Sequence, residues 1–300
     1  MIVPSDPVEE LEAAGITWLR RYFNPTGMFR EVYLLSPFER EKTRRHGVWI
    51  LPTPRDRFRR AVYRLQPDVV RAYGGYWPAD LVCLRRLREI PVVVSVHDSH
   101  PDNIHRSLRY ADLVLCVSGK VERGVQRVGV PAQRIRRLPN RVDPRIFRPL
   151  SNPDGAARLD ERFPAGRRIL HVGRKSPQKN IDGLLGSLGD LPENYMAIFV
   201  GRGDRRPYQR LAAQLGVAHR AFWVDAVANP DLAVWYNWCD CLCVPSRWEG
   251  FGIVFLEAAA CGTPIVTSDI GPMNEYLTDG RSACLVQNYE DPVSIAKGIR

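Results

Sequence analysis

Residues 241–268, CLCVPSRWEGFGIVFLEAAACGTPIVTS, decide the reading of the fold. The apolar run 241–244 reads as a short buried strand and a Gly-containing loop follows it. Residues 253–260 then predict a helix, Gly262 stops it, and 265–267 form a second strand. Two strands joined through one helix make a βαβ unit, so they lie parallel in one sheet. Gly250 and Gly252 lack a Cβ and let the loop backbone come close to a ligand. The helix that opens at Ile253 offers unpaired N–H groups to an anion.

Glu249 stands just before that helix and Glu257 about one turn inside it, toward the carboxyl end of the first strand. Open α/β sheets bind ligands at that edge. An ionised carboxylate accepts hydrogen bonds and donates none, and beside a phosphate it would repel. The pair therefore reads as acceptors for the hydroxyls of a sugar. A role confined to complementing the helix dipole is the alternative.

The neighbouring residues extend the pattern. Pro245-Ser246, Glu249-Gly250-Phe251-Gly252, Glu257-Ala258 and Cys261-Gly262-Thr263-Pro264 together resemble the donor-site signature of the retaining GT-B-fold glycosyltransferases of family 4, the glycosyl transferases group 1. The resemblance implies an α/β protein of two Rossmann-like parallel-sheet domains facing a cleft. It implies a nucleoside diphosphate sugar as donor substrate, with Glu249 near the sugar hydroxyls and Glu257 on the ribose diol. Backbone N–H groups from Phe251 through Gly252 and Ile253 to Val254 would lie near the sugar and phosphates. The implied reaction is transfer of a hexose with retention of anomeric configuration.

Composition sets the frame. Three hundred residues, 45% hydrophobic and 25% charged, describe a globular chain long enough for two domains. The longest apolar runs, 92–96 and 197–200, are strand-sized, against the ~20 residues of a membrane span. The start, MIVPSDPVEELEAAG, is acidic where a secretory signal is basic and apolar, so a cytoplasmic protein is expected. The net charge is +10, but lysine occurs only at 42, 120, 175, 179 and 297, and the arginines are spread along the chain. That dispersion argues against a nucleic-acid partner. A local excess at Arg40, Arg44, Arg45, Arg55, Arg57, Arg59, Arg60 and Arg64 suits anionic membrane or an acidic acceptor. The cysteines at 83, 116, 239, 241, 243, 261 and 284 form no C-x-x-C pair and read as buried free thiols.

The first domain is expected over 1–148. Residues 2–4 read as the tail of a strand, 8–14 as a helix and 32–35 as a strand. Family members open with a full strand and a glycine-rich loop facing the acceptor. The chain begins too late for that strand, so a domain truncated at its start, with an exposed sheet edge, is expected. The acceptor, a glycan, lipid or small molecule, is correspondingly unspecified. Strand 69–72, helix 79–88 and strand 92–96 then alternate as a parallel sheet requires. His97 ends the last of these and resembles the family histidine that lies over the donor sugar, a loop or cap residue being the alternative. Strand 112–117, an N-cap at Ser118, a helix to 128 and strand 136–138 complete the domain. Arg141 stands where family members have glycine in an Asn-Gly-Val-Asp turn. A positive φ costs a bulky residue, so either the turn is rearranged or Asn140 takes the strain.

A linker is expected over 144–164, with Pro149, Pro153 and Pro164, and the second domain over 149–300, truncated at its end. Strand 169–172 leads into Gly173-Arg174-Lys175-Ser176-Pro177-Gln178-Lys179-Asn180. Family members place arginine and lysine at the Arg174 and Lys179 positions on the donor diphosphate. Two cations at a strand end suit that group, and a solvated basic loop is the alternative. Gly201-Arg202-Gly203 after strand 196–200 lacks the third glycine of a dinucleotide fingerprint, which excludes NAD or FAD. Strand 222–224 frames the base in the family, placing Val224 beside it. Asp225 replaces the usual glycine and leaves the base contacts open. Trp235, Tyr236 and Trp238 on helix 231–239 read as packing. No Asp-x-Asp pair is present, since Asp102 is followed by Asn103-Ile104-His105, so neither metal nor cofactor is expected. Two rival readings are a degenerate GT-B scaffold that binds without turnover and a sugar-nucleotide epimerase.

Overall fold

The computed structural model describes residues 1–13, 19–85, 89–151 and 155–300. They form two compact units, Met1–Pro139 and Asn140–Arg300.

The first unit carries eight strands: β1 (Ile2–Val3), β2 (Tyr33–Ser36), β3 (Thr43–Arg45), β4 (Val48–Pro52), β5 (Val70–Tyr73), β6 (Val92–Val96), β7 (Leu113–Cys116) and β8 (Ile135–Arg137). They lie in the order β3-β4-β2-β1-β5-β6-β7-β8. All pairs are parallel except β3 with β4. The expected exposed edge at the opening strand is absent. β1 sits inside the sheet, with Ile2 opposite both Leu34 and Arg71, and the terminal amine donates to the Val69 carbonyl at 2.8 Å. Two residues suffice for that place because Ile2 and Val3 are both buried. The expected helix 8–14 is Val8–Ala13, and residue 14 lies outside the described residues. The expected helix 79–88 runs Trp77–Leu84, with 86–88 likewise outside them. Ser118 caps its helix as expected, its hydroxyl accepting from the Val121 N–H at 3.2 Å.

The domain boundary falls at Pro139, nine residues before the one expected at 148. The cause is Phe147, buried in the core of the second unit with its ring 6.1 Å from that of Tyr236. Asn237 fixes the same segment, accepting from the Leu150 N–H and donating to the Arg148 carbonyl. Of the expected linker prolines, Pro153 lies outside the described residues. The turn at Asn140–Arg141 is rearranged: among the described non-glycine residues positive φ occurs at His46, Gln66 and Asn180.

The second unit is a six-stranded, all-parallel sheet of β9 (Arg167–Val172), β10 (Tyr195–Val200), β11 (Ala221–Val224), β12 (Cys241–Val244), β13 (Ile265–Ser268) and β14 (Cys284–Val286). Side chains alternate across it, as the two-residue period of a strand requires. Leu170, Val172, Ile198, Val200, Leu242 and Val244 face a layer containing Trp235, Tyr236 and Phe255. Ile169, Ala197, Phe199, Cys241 and Cys243 face Leu184, Leu185, Ile295 and Ala296. With both faces covered, the strands read as continuous apolar runs, which is why they were legible in the sequence. The cysteines are free, and burial pushes the Cys241 thiol up to about 12, so it behaves as a small apolar filler. The strand order is β11-β10-β9-β12-β13-β14. The chain therefore reverses direction across the sheet between β9 and β12, and the loops after these two strands meet at the switch point where open sheets bind ligands.

Candidate functional site

The loop after β9 turns through Pro177–Lys179 to Asn180, whose left-handed conformation and side chain cap the helix Ile181–Leu188. A Cβ on Gly173 would stand 3.1 Å from the Lys179 Cε, so the missing side chain leaves room for the lysine stem. The Lys179 ammonium donates to Glu249 Oε1 across the switch point, and the Ser246 hydroxyl donates to the same oxygen at 2.8 Å. Glu249 is 6% exposed. Such a pair persists only when both charges are satisfied, and removing either partner leaves the other buried and unpaired.

Arg247 ties the two loops together. Its guanidinium grips Asp182 and Glu290, each through two nitrogens, and also donates to the Pro177 carbonyl at 2.6 Å. Its N–H donates to the Gln178 carbonyl, and the Gln178 amide returns a bond to the Trp248 carbonyl. The residues flanking Lys179 are thus fastened to those flanking Glu249.

The loop enters the helix Ile253–Cys261 through Gly252 at φ +83°, where a Cβ would lie 2.6 Å from the Phe255 ring. Among the described residues no side chain caps this helix, so its first N–H groups, at Ile253 and Val254, are open to a ligand. The Tyr276 hydroxyl donates to the carbonyls of Phe251 and Gly252, and its ring stacks on Phe251 at 4.8 Å. Gly250 is buried beneath the same turn.

Glu257 is 2% exposed and held by neutral donors. Asn229 donates to Oε1 and the Tyr236 hydroxyl to Oε2, both at 2.7 Å. Burial raises its pKa, and these two bonds pull it back down. Each oxygen keeps a lone pair for a ligand hydroxyl.

Lys175, given no role in the sequence reading, is 8% exposed. Its ammonium donates to the carbonyls of Gly201 and Val224, the latter at 2.9 Å, and so pins the ends of β10 and β11. Burial lowers its pKa and the charge of Asp225 opposes that. Arg174 is exposed and makes no hydrogen bond or ion pair among the described residues.

His97, in the first unit, follows the end of β6. Its ring stacks on Tyr73 at 5.8 Å, and Arg71 lies 4.6 Å over that tyrosine. Desolvation of the ring and then the Arg71 charge lower the pKa of His97 to about 4, although the residue as a whole is exposed, and both favour the neutral imidazole.

The structure thus joins Lys179 to Glu249 directly, gathers the 250–254 loop at the helix start and gives Glu257 a separate set of partners. Ser246, quoted within the signature, and Lys175, quoted within the loop after β9, were given no role, and Asn229 and Arg247 were missed. Tyr236, read as packing, does pack, but its hydroxyl also orients Glu257. Among the described residues no group of three or more His, Cys, Asp or Glu side chains is arranged to hold a metal ion. Among them too, no helix is long and apolar enough to cross a membrane.

Comparison with known proteins follows the same division. Residues 160–300 match the family described as glycosyl transferases group 1, and residues 9–146 match glycosyltransferase family 4. A GDP-mannose-dependent alpha-(1-6)-phosphatidylinositol monomannoside mannosyltransferase of Mycolicibacterium smegmatis is 31% identical over 202 residues, covering 63% of this chain and 52% of the relative. A D-inositol 3-phosphate glycosyltransferase of Xylanimonas cellulosilytica is 34% identical over 194 residues, covering 61% and 46%. The chain spans about half the length of these curated relatives. Among solved structures, Anabaena HepE in complex with UDP and glucose superposes with a TM-score of 0.82 at 18% identity, covering 99% of this chain and 88% of that one. Sucrose-phosphate synthase from Thermosynechococcus elongatus gives 0.78 at 19%, covering 99% and 84%. These last two likenesses concern the fold.

Proposed function

The chain belongs to the family 4 glycosyltransferases, the glycosyl transferases group 1, with GT-B architecture, and from that premise we propose that it transfers a hexose from a nucleoside diphosphate sugar to an acceptor with retention of anomeric configuration. The observation that carries this reading is the Lys179–Glu249 pair, held at the switch point beside an uncapped helix start. A cation, a run of open N–H groups and a carboxylate there match a diphosphate joined to a polyol. Glu249 accepts sugar hydroxyls, Glu257 accepts the ribose diol, and Arg174, Lys179 and the N–H groups of Ile253 and Val254 meet the diphosphate.

In the chemical step the acceptor oxygen bonds to the anomeric carbon on the face from which the phosphate oxygen departs. The acceptor proton passes to that leaving phosphate. Charge grows on the diphosphate as the bond breaks, and Arg174, Lys179 and the helix start stabilise it without a metal ion. His97, in the first unit, is given a role through the family resemblance alone. The two curated relatives are named for acceptors containing inositol and phosphate, which supports a hydroxyl-bearing acceptor, lipid-linked or free. The exposed Arg55, Arg57, Arg59, Arg60 and Arg64 suit peripheral contact with an anionic membrane.

The test is incubation with a panel of nucleoside diphosphate sugars, with and without polyol acceptors, followed by NMR of the product anomer. Acceptor-dependent release of nucleoside diphosphate with the donor's anomeric configuration kept is expected. An inverted product would overturn retention, an isomerised donor would identify an epimerase, and binding without release would identify a scaffold.

A further inference from the structure

Asp225 follows the last residue of β11, the strand that frames the base in the donor reading on which this inference rests. It is exposed and makes no hydrogen bond or ion pair among the described residues. The backbone leading to it is anchored, because the Val224 carbonyl accepts both from the Lys175 ammonium at 2.9 Å and from the Gly201 N–H at 3.2 Å. Just beyond, the N–H groups of Ala226 and Val227 donate to nothing among the described residues. An exposed carboxylate carried on an anchored backbone, next to two N–H groups without a partner among the described residues, is a pattern that a nucleobase edge can be matched against.

We propose that the donor nucleotide is a guanosine diphosphate and that Asp225 reads its base. Guanine presents two adjacent donors, N1–H and the 2-amino group, followed by the O6 acceptor. The two carboxylate oxygens take the two donors in a charge-assisted bidentate pair, and the N–H of Ala226 or Val227 takes O6. Uracil offers one N–H between two carbonyl oxygens, and adenine turns the lone pair of N1 toward the same place. Each sets an acceptor against the carboxylate, so each is disfavoured. Asp225 is thus a specificity residue, at the position where the family usually has glycine.

Calorimetric titration of GDP, UDP, ADP and xanthosine diphosphate into the wild type, Asp225→Ala and Asp225→Asn provides the test, with circular dichroism to check folding of these surface variants. The wild type should bind GDP at least about tenfold more tightly than UDP or ADP, and Asp225→Ala should lose roughly 10- to 100-fold for GDP alone. Asp225→Asn should lose GDP and gain xanthosine diphosphate, whose 2-carbonyl accepts from the new amide. A merely structural role would not reverse that preference. Tighter binding of UDP or ADP by the wild type, or an unchanged GDP-to-UDP ratio in both variants, overturns the inference and leaves the donor reading standing. Binding of none of the four overturns the donor reading and this inference with it.

Discussion

Glu249 and Glu257 sit eight residues apart and are held in opposite ways. Glu249 shares an oxygen between a lysine ammonium and a serine hydroxyl, whereas Glu257 takes one neutral donor on each oxygen. Assigned to the sugar, Glu249 acts where charge changes during the reaction. Glu249→Ala should therefore lower kcat by more than it raises the donor KM. Assigned to the ribose, which does not react, Glu257 contributes uniform binding, so Glu257→Ala should raise the donor KM with little change in kcat. Steady-state kinetics decide, and either variant with both parameters unchanged takes that residue out of the site. Burial raises the Glu257 pKa, and only the ionised form accepts two hydroxyls. Donor affinity should then weaken, as pH falls below neutral, sooner than for an ordinary glutamate, and Glu257→Gln should flatten the dependence. Both glutamates were legible because the motif around them is contiguous. Their partners were not, since Lys179 lies 70 residues from Glu249 and Asn229 lies 28 from Glu257.

Among the elements, the loops after β9 and β12 carry the proposed site, and Arg247 fastens one to the other. Its side chain is 24% exposed and its two carboxylate partners are 42% and 56% exposed. Their loss therefore costs the fold little, of the order of 1 kcal/mol for such half-exposed pairs. The position of Lys179 against Glu249 should suffer more. Arg247→Ala is expected to lower kcat/KM about tenfold or more while shifting Tm by only a few degrees. Arg247→Lys should recover little, because a point charge cannot grip two carboxylates and a carbonyl together. Unchanged kcat/KM in Arg247→Ala, measured well below its Tm, would show that the loops hold their register without it. The strands of the second sheet were legible as apolar runs buried on both faces. β3 was missed because Thr43-Arg44-Arg45 carries no apolar alternation, whereas β4, Val48–Pro52, is an apolar run that went unread. The place of β1 inside its sheet depends on pairing with strands far along the chain, which two residues cannot announce.

At the scale of the whole molecule, the domain boundary was misplaced for the same kind of reason. Pro144–Pro164 looks like a linker by composition, yet one buried aromatic, Phe147, draws its first part into the second unit. Stability carries a further consequence of burial. His171 on β9 is wholly buried, its Nδ1 has no partner among the described residues, and burial above all lowers its pKa from 6.5 to about 3. The unfolded chain binds the proton more tightly than the folded one. The stability this residue supports is full above about pH 6.5 and is lost as pH falls from there toward 3. Urea midpoints of the wild type should drop between about pH 7.5 and about pH 4.5, and those of His171→Phe should drop by less. Equal drops would show that His171 does not couple folding to protons.

The central claim is that cations and a helix start, not a metal ion, neutralise the donor diphosphate. It is tested most directly by donor turnover in EDTA, wild type beside Lys179→Ala. The account predicts that wild-type turnover survives chelation. It also predicts that Lys179→Ala loses a charge-assisted contact of roughly 1.5–3 kcal/mol, about 10- to 100-fold in kcat/KM. Abolition of wild-type turnover by EDTA, its restoration by Mg²⁺ or Mn²⁺, and a silent Lys179→Ala variant would contradict it.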